Sequence, residues 1–273
     1  MELRDKAIVV TGGGNGIGRA MCERFAREQP RGVVVADIDD AATQQVASRI
    51  AAAGIDCVGK RCDVTIEAEV RSLIETAEER FGGIDLYCSN AGVTAKGGLN
   101  ADDDAWRRNW EVNVMGHVYA ARCVVPRMIE RGAGYFLLTA SAAGLLTEIG
   151  SAPYSVTKHG TVAFAEWLSV CYQRKGLRVS VLCPAGVATD FLDLEDPVHQ
   201  FLHVSSLTPE QVAEDTLAAI SRETFLILPH AEVAEFHAFK GQDYDRWLKN
   251  FARINQKLER IASKQSQAGS ERE

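Results

Sequence analysis

The sequence has no excess of positive charge, no paired cysteines and no long apolar run. Lys and Arg number 30 against 37 Asp and Glu, a net charge of −7. That balance disfavours a nucleic-acid binder, which usually presents a basic face. No segment reaches the ~20 apolar residues that span a bilayer. The first six residues, MELRDK, carry no apolar core of a signal peptide, so a cytoplasmic location is expected. The seven cysteines are odd in number and scattered, with no CxxC pair. They read as small core hydrophobes, not as a disulfide framework or a zinc site. The six histidines show no ligand spacing: His199 and His203 are four apart but lack a third ligand nearby, and no metal is expected. There is no internal repeat and no linker. At 46% apolar and 25% charged, the composition is that of an ordinary globular chain.

What is present is an alternation of short β-branched runs and longer helical patterns. Strands are expected at Lys6–Thr11, Val33–Asp37, Cys57–Asp63, Asp85–Asn90, Tyr135–Ser141, Leu177–Pro184 and Phe225–Leu228. Between them lie helices at about 17–28, 40–53, 65–81, up to 131, 153–173 and from 209, with Thr65 and Thr208 as expected N-caps. Strand–helix alternation implies βαβ units. The expected fold is α/β: a single doubly wound Rossmann-type domain, with a seven-stranded parallel sheet covered by helices on both faces. Domain boundaries are placed at 1–230 for this unit and 231–273 for a C-terminal helical extension with a frayed end. The extension carries Phe236, Phe239, Trp247, Leu248 and Phe251, whose apolar face covers a pocket, joins a subunit interface or caps the core.

Directly after the first strand comes TGGGNGIG, with Thr11, Gly12, Asn15, Gly16, Ile17 and Gly18 leading into a helix. Glycines permit a tight turn and close approach of a ligand, and the helix N-terminus offers free N–H groups to a pyrophosphate. Asp37 ends the second strand, 19 residues after Gly18. A carboxylate there accepts bonds from both ribose hydroxyls of an adenosine and repels a 2′-phosphate. No Lys or Arg follows it closely, which favours NAD over NADP. Asp63 and Val64, then Asn90, Ala91 and Gly92, put polar or small residues at the ends of the next strands, where such sheets bind ligands.

Tyr154 and Lys158 are four apart on an expected helix and share a face. A nearby ammonium would lower the phenol from its usual ~10 and suit it to acid–base work. Ser141 ends the fifth strand, 13 residues before the tyrosine. It is placed to bond a substrate oxygen.

Taken in order, TGGGNGIG at 11–18, Asp63-Val64, SNAG at 89–92, Asn113 in EVNVMG, Ser141, YSVTK at 154–158 and PAGVATD at 184–190 resemble the short-chain dehydrogenase/reductase family, in its compact single-domain branch. The resemblance covers roughly residues 4–230. It implies that Tyr154 exchanges a proton with the substrate oxygen, that Lys158 tunes it and holds the nicotinamide ribose, that Ser141 orients the substrate, and that Asn113 supports a water-linked proton relay. It also implies that Pro184, Gly186, Val187 and Thr189 contact the nicotinamide half, and that the chain forms a homotetramer or homodimer. Three features depart from the common pattern: Ser89 for the first Asn of NNAG, Ala185 and Val187 around Gly186, and a tail of 44 residues after Pro229.

The substrate is expected to be a hydrophobic secondary alcohol or its ketone. The stretch 187–207 holds Phe191, Leu192, Leu194, Val198, Phe201, Leu202, Val204 and Leu207, which form an apolar lid or pack on the sheet or a neighbouring subunit. Leu145, Glu148 and Val187 are expected in the pocket wall beside Ser141 and Tyr154. A non-catalytic dinucleotide-binding sensor or scaffold is the alternative, and the intact Asn113, Ser141, Tyr154 and Lys158 set speaks against it. An epimerase or dehydratase fits less well, because those relatives carry a separate substrate domain and a different glycine spacing.

Overall fold

The structure is a computed structural model and describes residues 1–189 and 206–270. Seven parallel strands form one sheet in the order β3-β2-β1-β4-β5-β6-β7. They are β1 (Ala7–Thr11), β2 (Gly32–Asp37), β3 (Cys57–Arg61), β4 (Leu86–Ser89), β5 (Gly134–Thr139), β6 (Leu177–Leu182) and β7 (Leu226–Ile227). Helices α1 (Gly16–Ala26), α2 (Asp40–Ala52) and α3 (Glu67–Phe81) join the first four.

The alternation of strand side chains explains why these runs are apolar throughout. In β1, Ala7 and Val9 enter the core layer shared with α3, while Ile8 and Val10 enter the layer shared with α1. Both faces are covered, so neither set tolerates polar residues. The strand order reverses between β1 and β4, which pair at Ile8 with Leu86. The loops leaving these two strands diverge and open a crevice at the carboxyl edge of the sheet.

After β4 comes α4 (Asp103–Trp110), capped by Asp102, whose carboxylate accepts from Ala105 N at 2.6 Å. It runs through a π-helical stretch, Glu111–Met115, into α5 (Gly116–Glu130). The short α6 (Ala143–Leu146) follows β5, and then α7 (Ala152–Tyr172) begins at a Ser151 cap that accepts from Tyr154 N at 3.1 Å. α8 (Pro209–Ser221) opens on a complete Thr208–Gln211 capping box, as the sequence implies. α9 (Ala231–Gln242) and α10 (Tyr244–Ser270) complete the chain, the last helix continuing past 263.

Thr65 is not the cap of α3. That position is Ile66, and the Thr65 hydroxyl donates instead to Asp63 Oδ1 at 2.7 Å. Local competition from an Asp two residues back wins over the helix end. Glu69 in the first turn then reaches back to accept from Asp63 N at 2.8 Å. No helix among the described residues is long and apolar enough to cross a membrane.

Candidate active site

One large cavity of about 1050 Å³ lies along the carboxyl edge of the sheet. Pockets for single small ligands typically hold ~300–1000 Å³, so this one takes an extended molecule or two side by side.

Its first half is the glycine loop. Gly12 and Gly16 sit at φ +64° and +52°, in the left-handed region that favours glycine. Gly18 packs so tightly that a Cβ there would lie 2.0 Å from the Gly12 carbonyl oxygen. Asn15 and Ile17 line the same space. Asp37 ends β2 beside the loop, its Oδ2 accepting from Gly14 N at 3.1 Å and its Oδ1 from Asp39 N at 3.2 Å. These bonds hold the carboxylate at the cavity wall, and among the described residues no lysine or arginine lines the cavity near it. Asp63 and Val64 continue the wall from β3. Asn90 ties three strand ends together: its Nδ2 donates to Thr11 O at 3.0 Å and Gly12 O at 3.3 Å, and its Oδ1 accepts from Thr139 Oγ1 at 2.9 Å. Ala91 and Gly92 follow it along the cavity. The glycine loop at the start of α1, the carboxylate and these small residues together fit a dinucleotide.

The second half holds Ser141, Tyr154 and Lys158 together. Ser141 and Tyr154 are hydrogen-bonded to each other, and the Ser141 hydroxyl also reaches Pro184 O at 3.4 Å. Lys158 is buried, donates to Thr139 O at 3.0 Å, and places Nζ 5.5 Å from the Tyr154 ring centroid. Burial pushes Lys158 down to about 8 from an ordinary 10.5. Burial also raises the Tyr154 phenol above its ordinary value; the Ser141 bond opposes this and the Glu148 charge adds to it. The lowering expected from a nearby ammonium is therefore opposed by burial in the folded chain. Desolvation is the largest influence on both groups, and the ammonium stands over the ring.

Asn113 does not line the cavity. It lies at the π-helical break, fully buried, with its Oδ1 accepting from Val93 N at 2.9 Å and its Nδ2 donating to Val93 O at 2.8 Å and Thr157 Oγ1 at 3.2 Å. Gly92 makes room for it: a Cβ there would stand 3.3 Å from both Asn113 Oδ1 and Lys158 Nζ. Leu145 also fails to reach the cavity, and Leu146, Thr147 and Glu148 line it instead. Both leucines of α6 belong to the core, and Leu146 alone also meets the cavity. Pro184, Gly186, Val187 and Thr189 line it as expected. Residues 190–205, which carry the expected lid from Phe191 to Val204, lie outside the described residues. Among the described residues no cluster of His, Cys, Asp or Glu could hold a metal ion.

The family model for short chain dehydrogenases matches residues 6–197. The chain is a short-chain dehydrogenase/reductase. It is similar to 1-deoxy-11-beta-hydroxypentalenate dehydrogenase of Streptomyces exfoliatus, at 35% identity over 236 residues, covering 85% of this chain and 86% of that one. It is also similar to 2,5-dichloro-2,5-cyclohexadiene-1,4-diol dehydrogenase of Sphingobium indicum, at 35% identity over 70% of this chain and 76% of that protein. Among solved structures it resembles a family member from Burkholderia phymatum in complex with NAD, with a TM-score of 0.83 and 31% identity over 90% of this chain and 96% of that one. The family places the chain among the oxidoreductases.

Two features of the site escaped the sequence reading. His230 is buried beneath the turn after β6, where its Nδ1 accepts from Ala185 N at 3.2 Å and its Nε2 donates to Gly186 O at 2.9 Å. A single tautomer makes both bonds, and it braces the turn where Ala185 and Val187 depart from the family pattern. Ser89 is likewise withdrawn from the cavity, buried with its hydroxyl 2.7 Å from His117 Nδ1. Both partners are distant in sequence, so no local spacing announced them.

Proposed function

We propose that this chain is an NAD-dependent oxidoreductase that interconverts a hydrophobic secondary alcohol and its ketone. The observation that carries the reading is the convergence of Ser141, Tyr154 and Lys158 in the cavity that also holds the glycine loop and Asp37. Gly12, Asn15, Gly16, Ile17 and Gly18 would hold the pyrophosphate, and Asp37 the adenosine ribose. Asp63, Val64, Asn90, Ala91 and Gly92 would frame the adenine and the centre of the dinucleotide, with Pro184, Gly186, Val187 and Thr189 against its nicotinamide half. Bound there, the nicotinamide supplies the hydride acceptor or donor for the carbinol carbon.

The remaining chemistry belongs to the chain. Tyr154 takes the hydroxyl proton in oxidation and returns it in reduction. Ser141 donates to the same oxygen and keeps it beside the phenol. Lys158, held by Thr139 O, brings positive charge next to the ring and favours the phenolate at the moment of transfer. Asn113 fixes the Val93 backbone and the π-helical break next to Lys158, supporting proton exit by that side. Carboxylate at Asp37 favours NAD over NADP. The apolar wall of the cavity, including Val187 and Leu146, suits an apolar substrate.

The same reading includes a homotetramer or homodimer and a cytoplasmic location. The outer face of α4 and α7 exposes Trp110, Val156, Trp167 and Val170, an apolar stripe suited to a second copy. A monomeric mass in solution would refute the assembly. The enzymatic reading is tested by NADH absorbance with NAD and NADP against secondary alcohols, for wild type and Tyr154→Phe. Turnover with NAD that the variant loses, with NADH binding retained, is expected. NADH binding with no turnover on any alcohol or ketone would favour a sensor.

A further inference from the structure

We propose that α9 and α10 form the substrate-recognition wall of the cavity, selecting a bulky carbocyclic alcohol over a small one. This inference rests on the alcohol-oxidising reading above and adds what the substrate must look like. The sequence left the apolar face of 231–264 three possible roles. The structure shows where that face lies.

The extension is fastened to the catalytic segment. Lys240 is buried at 8% exposure, and its Nζ donates to Leu145 O at 2.6 Å. A lysine is seldom buried without a partner. This one joins α9 to α6, the turn that begins two residues after Ser141. The same Nζ lies 5.3 Å from the Tyr244 ring centroid, so the start of α10 is held by the same cation.

An aromatic cluster is built on that anchor. Trp247, 5% exposed, stands at its centre, with ring centroids 4.5 Å from Phe251, 6.1 Å from Phe239 and 6.3 Å from Phe236. These four, with Ile254 and Leu258, line the cavity that contains Tyr154. Phe236 and Ile254 remain 48% and 39% exposed. Large apolar side chains held open in a concave chamber beside a reactive hydroxyl mark a ligand surface. Ser141 and Tyr154 engage one oxygen at the reacting end. Rigid rings and a branched aliphatic chain complement a rigid carbocyclic body at the other. A three-carbon alcohol bound at Tyr154 gains little from this wall.

The test uses the full chain, loaded with NADH for binding and with NAD for turnover, and two half-exposed positions whose change spares the core: Phe236→Ser and Ile254→Ser. Calorimetric titration with decahydro-2-naphthol reads binding without requiring turnover; kcat/KM for propan-2-ol is measured alongside. Each variant is expected to weaken the two-ring alcohol by about tenfold or more, the loss of one buried apolar side chain. NADH affinity and propan-2-ol kcat/KM should stay within about twofold, since neither side chain belongs to the glycine loop, to Asp37 or to the Ser141–Tyr154–Lys158 group. Unchanged binding of the two-ring alcohol in both variants overturns the proposal, as does an equal loss for both alcohols. Unchanged alcohol binding with a smaller mass in solution also overturns it and assigns the face to a subunit contact. Selective loss of two-ring binding in a chain that never turns over supports the wall while refuting the oxidoreductase reading.

Discussion

Gly18→Ala should disable the dinucleotide loop without touching a charged or reacting group. A Cβ at Gly18 falls 2.0 Å from Gly12 O, 2.7 Å from Gly12 C and 2.6 Å from Asn90 Nδ2. Favourable contacts between such atoms lie near ~3.5–4.0 Å, so each approach is repulsive. Two of the three atoms are backbone and cannot swing aside. The third belongs to an amide that holds Thr11 O and Gly12 O. Relief therefore parts α1 from the loop and strains both bonds. Overpacking costs ~1–3 kcal/mol and each weakened hydrogen bond ~1 kcal/mol, together about 3–5 kcal/mol. At roughly 2–4 °C per kcal/mol for a chain of this size, Tm should fall by about 10 °C. Gly54→Ala is the control. It sits at φ +87° with nothing within 4 Å of a Cβ, so it bears only left-handed strain of about 1–2 kcal/mol. Thermal melts and NADH fluorescence titrations of both variants decide the matter. Equal Tm shifts in the two variants, or NADH affinity unchanged in Gly18→Ala, would refute the argument.

Asp37→Ser removes the carboxylate that accepts from Gly14 N and lines the cavity, where on the proposed reading it would hold the ribose. Charge-assisted bonds contribute ~1.5–3 kcal/mol, so kcat/KM with NAD should drop about 10- to 100-fold while NADP improves; a retained NAD preference would count against the Asp37 argument. Lys158→Met should abolish turnover yet stabilise the fold. Burial holds Lys158 at about 8 against 10.5, so between these values the folded chain binds fewer protons than the unfolded one. Its stability therefore rises with pH across that window, and below about pH 8 the buried cation costs up to about 3 kcal/mol. The variant should melt above wild type at pH 7, with the gap narrowing above pH 8 and closing near pH 10.5. A variant less stable at pH 7 would mean that the Thr139 bond outweighs the burial cost.

Much of the site was legible because it is written in short spacings. Glycines at 12, 16 and 18 declare a backbone that approaches a ligand, whatever the rest of the chain does. Tyr154 and Lys158 share a helix face by periodicity, and Asp37 marks the end of an apolar run. The sequence was less informative where two plausible neighbours competed. Thr65 reads as a cap until Asp63 is seen to claim its hydroxyl. Leu145 and Leu146 are equivalent in a pattern, and only the folded chain shows that Leu146 meets the cavity. Asn113 was found through resemblance, and its buried contacts explain why no surface signal betrays it.

Local chemistry thus determined the βαβ order, the glycine loop, the helix cap at Thr208, and the pairing of Tyr154 with Lys158 on one helix face. These depend on propensity, periodicity and spacing along a few turns of chain. Tertiary structure alone decided the rest. It brought Ser141 to Tyr154, set His230 against Ala185 and Gly186, and joined Lys240 to Leu145 across 95 residues. It also set burial against the lowering expected for the Tyr154 phenol, because proton affinity follows desolvation by every element packed around a group, and burial is a property of the whole fold.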